Sequence, residues 1–172
     1  MDDDSALLMD LLNTTPVVEG VPADRLAGDD AARAWIVEHG GRADQGAPER
    51  LRELRGLLQA VVRGERDPEA LGPFLEGVVK RPAVGRDGVA WRLDVAGDRA
   101  LTVRAVLAWA ELAERLPGRV RPCANPECRL FLLDRSRAGT ARWCSMATCG
   151  NRLKARRHQA RRATGSGGSA AG

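Results

Sequence analysis

Four cysteines in two close pairs are the residues here with the clearest chemistry. They read Cys123-x4-Cys128-x15-Cys144-x4-Cys149, and no other cysteine occurs in the 172 residues. Paired thiolates with a short spacer let each half chelate before the connector closes, and four sulfurs suit zinc, which accepts a tetrahedral set without redox demand. In the first half, Asn125 and Pro126 favour a tight turn that folds both sulfurs inward. In the second, Ser145 is suited to cap a helix from Met146, with Cys149 in or near its first turn. A closed four-sulfur shell leaves no position for water or substrate, so the expected metal is one structural Zn2+. The alternatives are four buried thiols without metal, or a redox switch that releases zinc on oxidation. A zinc deaminase is excluded because that chemistry wants His-x-Glu and Pro-Cys-x-x-Cys, whereas four residues separate Cys123 from Cys128. His39 precedes a Gly-Gly turn and His158 lies in a basic run. No catalytic residue and no enzyme is expected.

The second pair runs directly into "NRLKARRHQARR", residues 151–162. On a helix starting near Ser145, Arg152 and Arg156 are four apart, as are Arg157 and Arg161, and Lys154 and His158. Arg152, Lys154, Arg156, Arg157, Arg161 and Arg162 are the candidate nucleic-acid contacts, since a guanidinium fork holds a phosphate or takes guanine O6 and N7 together. Leu153 and Ala160 share another side, suited to pack against Phe131 and Trp143. Asn151 reads as a support for the metal loop, and Asp134 as an internal tether for Arg135 or Arg137.

The charge distribution agrees. Residues 121–162 carry eleven Arg and Lys against Glu127 and Asp134, a net +9 within a chain of net +4. The first 120 residues therefore hold −5. An acidic body with a basic C-terminal module is the pattern of a tethered nucleic-acid binder. RNA or a protein partner is the alternative to DNA; only Phe131 and Trp143 are available in the finger for base stacking. Arginine surplus with abundant Ala and Gly is the usual bias of GC-rich bacterial genomes. The acidic start, "MDDDSALLMDLL", lacks a signal peptide's features, and no run of about 18 apolar residues spans a membrane. A cytoplasmic protein is expected.

The elements that must position this module are mostly helical. Residues 4–12 form a short amphipathic stretch ending at Asn13 to Pro16. Asp29 or Asp30 is expected to cap a helix that stops at Gly40-Gly41. Leu51, Leu54, Leu58 and Val61 make one apolar stripe over 48–63. Asp67-Pro68 should open a further helix to about Lys80. Val89, Trp91, Leu93 and Val95 alternate with polar or small residues, predicting a strand after an Asp87-Gly88 turn. Residues 98–116 should form the longest helix, lined by Val103, Val106, Leu107, Ala110, Ala113 and Leu116 and stopped by Pro117-Gly118. Trp35, Trp91 and Trp109 are expected in the core. The fold class is α+β: a mostly helical N-terminal domain, 1–118, with a short hairpin, then a four-cysteine finger of knuckle, short hairpin and basic helix at 119–162, and a flexible tail at 163–172.

Residues 121–162 resemble the CGNR zinc finger of bacterial proteins regarded as transcription regulators. The naming tetrad is intact as Cys149-Gly150-Asn151-Arg152, and Phe131, Asp134-Arg135-Ser136-Arg137 and Arg142-Trp143-Cys144-Ser145 match as well. Ala141 departs from the family, which commonly has a second Arg there, removing one phosphate contact. "MDLLNTTP" (9–16), with Leu12-Asn13-Thr14 as its core, is similar to the opening motif of the ABATE domain that precedes such fingers. The resemblance implies a stress-related DNA-binding regulator whose N-terminal domain senses a small-molecule effector. A single finger has a small footprint, so a homodimer formed through that domain is a further expectation.

Overall fold

The computed structural model describes residues 3–151. In chain order these form α1 (Asp3–Leu12), a minimal hairpin of β1 (Val17–Val18) and β2 (Val21–Pro22), α2 (Asp29–Glu38), α3 (Ala47–Arg63), a 3-10 helix (Pro68–Leu75), β3 (Val79–Gly85), β4 (Gly88–Asp94), α4 (Ala100–Arg115), β5 (Val120–Pro122), β6 (Phe131–Leu133) and one π-helical turn (Met146–Gly150). The strands pair as three separate antiparallel hairpins, β1–β2, β3–β4 and β5–β6. The fold is α+β, as expected.

Three helices enclose the core. Leu7, Leu8, Leu11 and Leu12 of α1 meet Leu51, Leu54 and Leu58 of α3 and Leu101, Ala105, Val106 and Leu112 of α4, with Leu71 and Phe74 of the 3-10 helix closing one end. Each buried leucine contributes about 1.5–3 kcal/mol by leaving water. The stripe on α3 is the one its leucine spacing predicts. On α4 the buried face is rotated: Leu101, Thr102, Ala105, Ala108 and Leu112 are inside, while Ala110, Ala113 and Leu116 are exposed. Thr102 is admitted because its hydroxyl donates back to Arg99 O at 2.9 Å, leaving no unsatisfied group.

Other expectations are corrected. The helix expected from Asp67-Pro68 to about Lys80 is a 3-10 segment that ends at Leu75, because Pro73 interrupts it and Gly77 turns with φ +70°; Val79 and Lys80 belong to β3. Gly28 rather than Asp29 or Asp30 occupies the N-cap of α2, and Asp29 instead bonds Arg52 at 2.8 Å. Trp35 and Trp109 pack at the core's margin, but Trp91 lies on β4 with 65% of its surface exposed.

Polar side chains of α3 secure the end of α1. Arg55, only 8% exposed, makes a bidentate pair with Asp24 at 2.5 and 2.8 Å and donates to Thr14 Oγ1 at 3.2 Å. Gln59 donates to Leu12 O at 2.9 Å and Thr15 Oγ1 at 3.0 Å, while Thr14 Oγ1 donates to Leu11 O at 2.9 Å. The carbonyls that a helix C-terminus leaves orphaned are thereby satisfied inside the protein. Asp24 is held below the usual carboxylate range by the Arg55 hydrogen bonds, which outweigh its partial burial.

Pro117-Gly118 ends α4, with Gly118 at φ +69°. The hydrophobic core continues past that point. Phe131, 2% exposed, belongs to the same cluster as the helices, and Val120 and Leu133 pack beside it. Phe131 thus packs against the body, while the packing of Leu153 and Ala160 against it falls outside the described residues. Asn13 fixes this arrangement: its Oδ1 accepts from Phe131 N at 2.7 Å and its Nδ2 donates to Phe131 O at 3.3 Å.

Candidate metal centre

The short hairpin β5–β6 delivers the first cysteine pair. Its register sets Val120 opposite Leu133, Arg121 opposite Leu132 and Pro122 opposite Phe131, and Cys123 N extends it by donating to Leu130 O at 2.8 Å. Between Cys123 and Cys128 the chain reverses on Asn125, as its residue type predicts. Cys128 N donates to Asn125 O at 2.8 Å, and Glu127 N to Asn125 Oδ1 at 3.2 Å. The second pair is brought alongside by a backbone bond from Ala124 N to Arg142 O at 2.8 Å. It then turns on the π-helical turn, whose N-cap, Ser145, accepts from Thr148 N at 3.4 Å.

The four sulfurs converge. All Sγ atoms lie within 4.8 Å of one another, and Cys144 Sγ is 3.7 Å from both Cys128 Sγ and Cys149 Sγ. A tetrahedron of zinc–sulfur bonds of ordinary length has edges of about 3.8 Å. A disulfide would require about 2.05 Å, and all four cysteines are free. The donor set and its spacing thus fit one zinc ion. Cys123 and Cys149 are buried, Cys128 and Cys144 half-buried.

The surroundings supply what thiolates need. Asn125 Nδ2 donates to Cys149 Sγ and Cys144 N to Cys123 Sγ, each at 3.5 Å. Burial pushes Cys128 up to about 11 and Cys144 higher still. Burial also opposes ionisation of Cys149, but hydrogen bonds from Asn125 and from the neighbouring sulfurs outweigh it and draw that thiol down. Burial thus opposes the charged form at Cys128 and Cys144, and a dication is what allows four thiolates to sit together.

Asp134 anchors the connector. Its carboxylate is fully buried and accepts from Ser136 Oγ at 2.6 Å, Ser136 N at 2.9 Å and Ala141 N at 2.9 Å, and it pairs with Arg121 and, at 3.7 Å, Arg119. The Ser136 hydroxyl leads these in holding its pKa near 2, against the opposing effect of burial. Asp134 is thus an internal tether, but for Arg121 and Arg119; Arg135 and Arg137 are exposed. By pinning Ala141 it returns Trp143 and Cys144 to the metal site. Gly150 is closely approached: a Cβ there would lie 2.9 Å from Met146 Sδ and 3.3 Å from Trp143 Cδ1, so a side chain would have to displace the exposed Met146. Asn151 is exposed, and its backbone N–H bonds Met146 O and Thr148 O. Arg152, Lys154, Arg156, Arg157, Arg161 and Arg162, with Leu153, His158 and Ala160, lie outside the described residues.

Sequence reasoning missed three supports. Asn125 was valued as a turn former, yet its amide also reaches a ligand sulfur. Arg121 entered only the net charge of residues 121–162, and Arg119 was not singled out. Asn13, singled out only as part of a motif, proves to be the joint between the body and the finger. His39 is structural: it stacks on Trp35 with ring centroids 3.8 Å apart, and its Nδ1 lies 2.8 Å from Trp35 O.

These features define a helical body fused to a four-cysteine finger, and comparison with known families agrees. A family model described as "CGNR zinc finger" matches residues 119–162, and one described as "Putative stress-induced transcription regulator", ABATE, matches residues 5–117. The chain belongs to the ABATE family and carries a CGNR zinc finger able to bind one zinc ion. Neither family is one of enzymes. No curated protein matches the sequence. Among the described residues, no helix is long and apolar enough to cross a membrane.

Proposed function

We propose that this protein is a zinc-dependent, DNA-binding transcription regulator of the bacterial cytoplasm and nucleoid. Cys123, Cys128, Cys144 and Cys149 are the zinc ligands. Zinc, when bound, supplies a fixed structural cross-link and no reaction chemistry. The carrying observation is the position of the sulfur cluster: its last ligand, Cys149, is followed within three residues by Arg152 and the basic run. A clasp so placed fixes the start of that run, and Arg152, Lys154, Arg156, Arg157, Arg161 and Arg162 contact the duplex, chiefly at phosphates.

The body's role in this reading is to adjust the contact through a small-molecule effector. The joint at Asn13 supports it. Its side chain holds Phe131 in the finger's hairpin, while the adjacent Thr14 and Thr15 are held by Arg55 and Gln59 of α3. A shift of α3 against α1 would therefore be felt at β6, three residues from Cys128. Selecting bound fragments from a random duplex pool, with and without chelator, tests the function. Enrichment of a sequence only in the zinc-loaded arm is expected. Enrichment from a parallel RNA pool alone would reassign the finger to RNA.

A further inference from the structure

Four of the nine large apolar side chains exposed among the described residues sit on the β3–β4 hairpin: Val79 (48%), Val84 (87%), Val89 (61%) and Trp91 (65%). Of the whole hairpin, only Ala83 and Leu93 are even half-buried. The register gives Pro82–Trp91, Val84–Val89 and Lys80–Leu93 one face, and Arg81–Arg92, Ala83–Ala90 and Val79–Asp94 the other. A lone two-stranded ribbon is marginal in water; a third strand or a packed face is what makes such a ribbon stable.

Its two edges differ. Gly85 and Gly88 flank the two-residue turn Arg86-Asp87 and form the closing hydrogen-bonded pair. Pairs alternate outward from there, so Val84–Val89, Pro82–Trp91 and Lys80–Leu93 aim their backbone groups away from the partner strand. Pro82 therefore places its missing N–H on the outer edge of β3, which is a standard way of blunting an edge. The outer edge of β4 has no such block. Val89, Trp91 and Leu93 present N–H and C=O there, and no third strand joins this sheet among the described residues.

The charges on β4 fit a second copy of itself. Arg81 and Arg92 face each other directly across the hairpin, an unfavourable like-charge pair. Asp94 relieves Arg81, with Oδ2 2.5 Å from its Nε, and no acidic partner of Arg92 is seen among the described residues. We infer that β4 pairs antiparallel with β4 of a second copy about a two-fold axis at Leu93, joining two hairpins into a four-stranded sheet. In that register Arg92 meets the partner's Asp94 twice over, Leu93 meets the partner's Leu93, and Trp91 meets the partner's Val95. The interface is isologous and closed, with the proline-blunted β3 strands at both outer edges, so it stops at a dimer. A nucleic acid is a poorer occupant, because the face of Pro82, Val84, Val89, Trp91 and Leu93 is apolar with Lys80 as its one cation.

The test is sedimentation equilibrium of the full zinc-loaded chain without DNA, so its outcome is independent of the DNA-binding reading. Wild type should dimerise in the micromolar range. Arg92→Glu should weaken the dimer about tenfold or more by facing two carboxylates across the axis, and Arg92→Glu with Asp94→Arg should restore it. Leu93→Cys should give a disulfide-linked dimer on mild oxidation, because opposed residues in a ladder lie within disulfide reach (about 5.5 Å between Cα atoms). This arm needs no charge change and reads the register even if Arg92→Glu alters folding. A wild type monomeric at about 100 µM, a dimer indifferent to Arg92→Glu, or absence of the Leu93→Cys cross-link in a dimeric sample would overturn the inference. So would a β4 edge occupied instead by a co-purifying peptide.

Discussion

Replacing Asn13 with Ala should lower the stability of the body and the finger together. Cys123 N bonds Leu130 O, so the next pair, Pro122–Phe131, is a non-hydrogen-bonded one and Phe131 turns its own N–H and C=O away from β5. Both are taken by Asn13, at 2.7 and 3.3 Å, in a place where Phe131 is 2% exposed. Each buried backbone group left without a partner costs about 1–3 kcal/mol. The longer bond is the weaker, which puts the sum at about 2–4 kcal/mol. For a chain of this size 1 kcal/mol corresponds to about 2–4 °C, so the melting temperature should fall by roughly 5–15 °C. Asn13→Asp keeps the acceptor for Phe131 N and loses the donor, and should fall between wild type and Asn13→Ala. Thermal unfolding followed by far-ultraviolet circular dichroism, with zinc saturating, measures all three. An Asn13→Ala protein that melts within 1–2 °C of wild type, about the shift from half a kcal/mol, would refute the idea that this side chain joins the two parts.

Other substitutions reach the remaining supports. Asp24→Asn should cost about 2–3 kcal/mol at neutral pH, less than a fully buried pair because Asp24 keeps a third of its side chain in solvent. Its folded pKa is depressed, so the wild-type advantage is complete above the unfolded value of 3.8 and is lost as pH falls below it; acid titration of the two melting temperatures should show them converging. Asn125→Ala removes the amide from Cys149 Sγ and should weaken zinc binding about 10–100-fold in a competition titration with a chromophoric chelator. Metal analysis should find one zinc per chain, and Cys149→Ser should lose it; undiminished zinc in that variant would remove Cys149 from the ligand set. A chain ending at Gly118 lacks Phe131, Val120 and Leu133. It should fold as a helical unit yet melt well below the full-length protein, since losing a buried Phe alone costs about 3–5 kcal/mol.

The metal site was legible because its signal is local: sulfur type, spacing and the Asn125 and Ser145 turns all lie within a few residues of the ligands. The α3 stripe was legible for the same reason. The α4 stripe was misassigned because Ala and Thr carry little hydropathic contrast, so Ala105 and Ala108 could not be told from Ala110 and Ala113 by type alone. Trp91 was placed inside because size and alternation say that a strand has an apolar face, not what covers it. Phe131 was assigned to the finger because Pro117-Gly118 ends α4 ahead of it, whereas its packing against the body depends on a contact 118 residues long in sequence, from Asn13. Asp134 was read as a tether, but its partner was sought among neighbours in sequence, and the hairpin supplied Arg121 from the opposite strand instead.

In the proposed function the zinc-held basic segment grips duplex DNA through its phosphates. The salt dependence of binding for wild type, Arg156→Ala and Arg157→Ala, on one duplex and its RNA counterpart, reads this out. With four to six phosphates neutralised, log K should fall against log salt with a slope of about −4 to −5, and loss of a phosphate-contacting arginine should flatten it by about one. Chelation of zinc should abolish the interaction. A slope near zero, indifference to both substitutions, or tighter binding to the RNA would contradict the account.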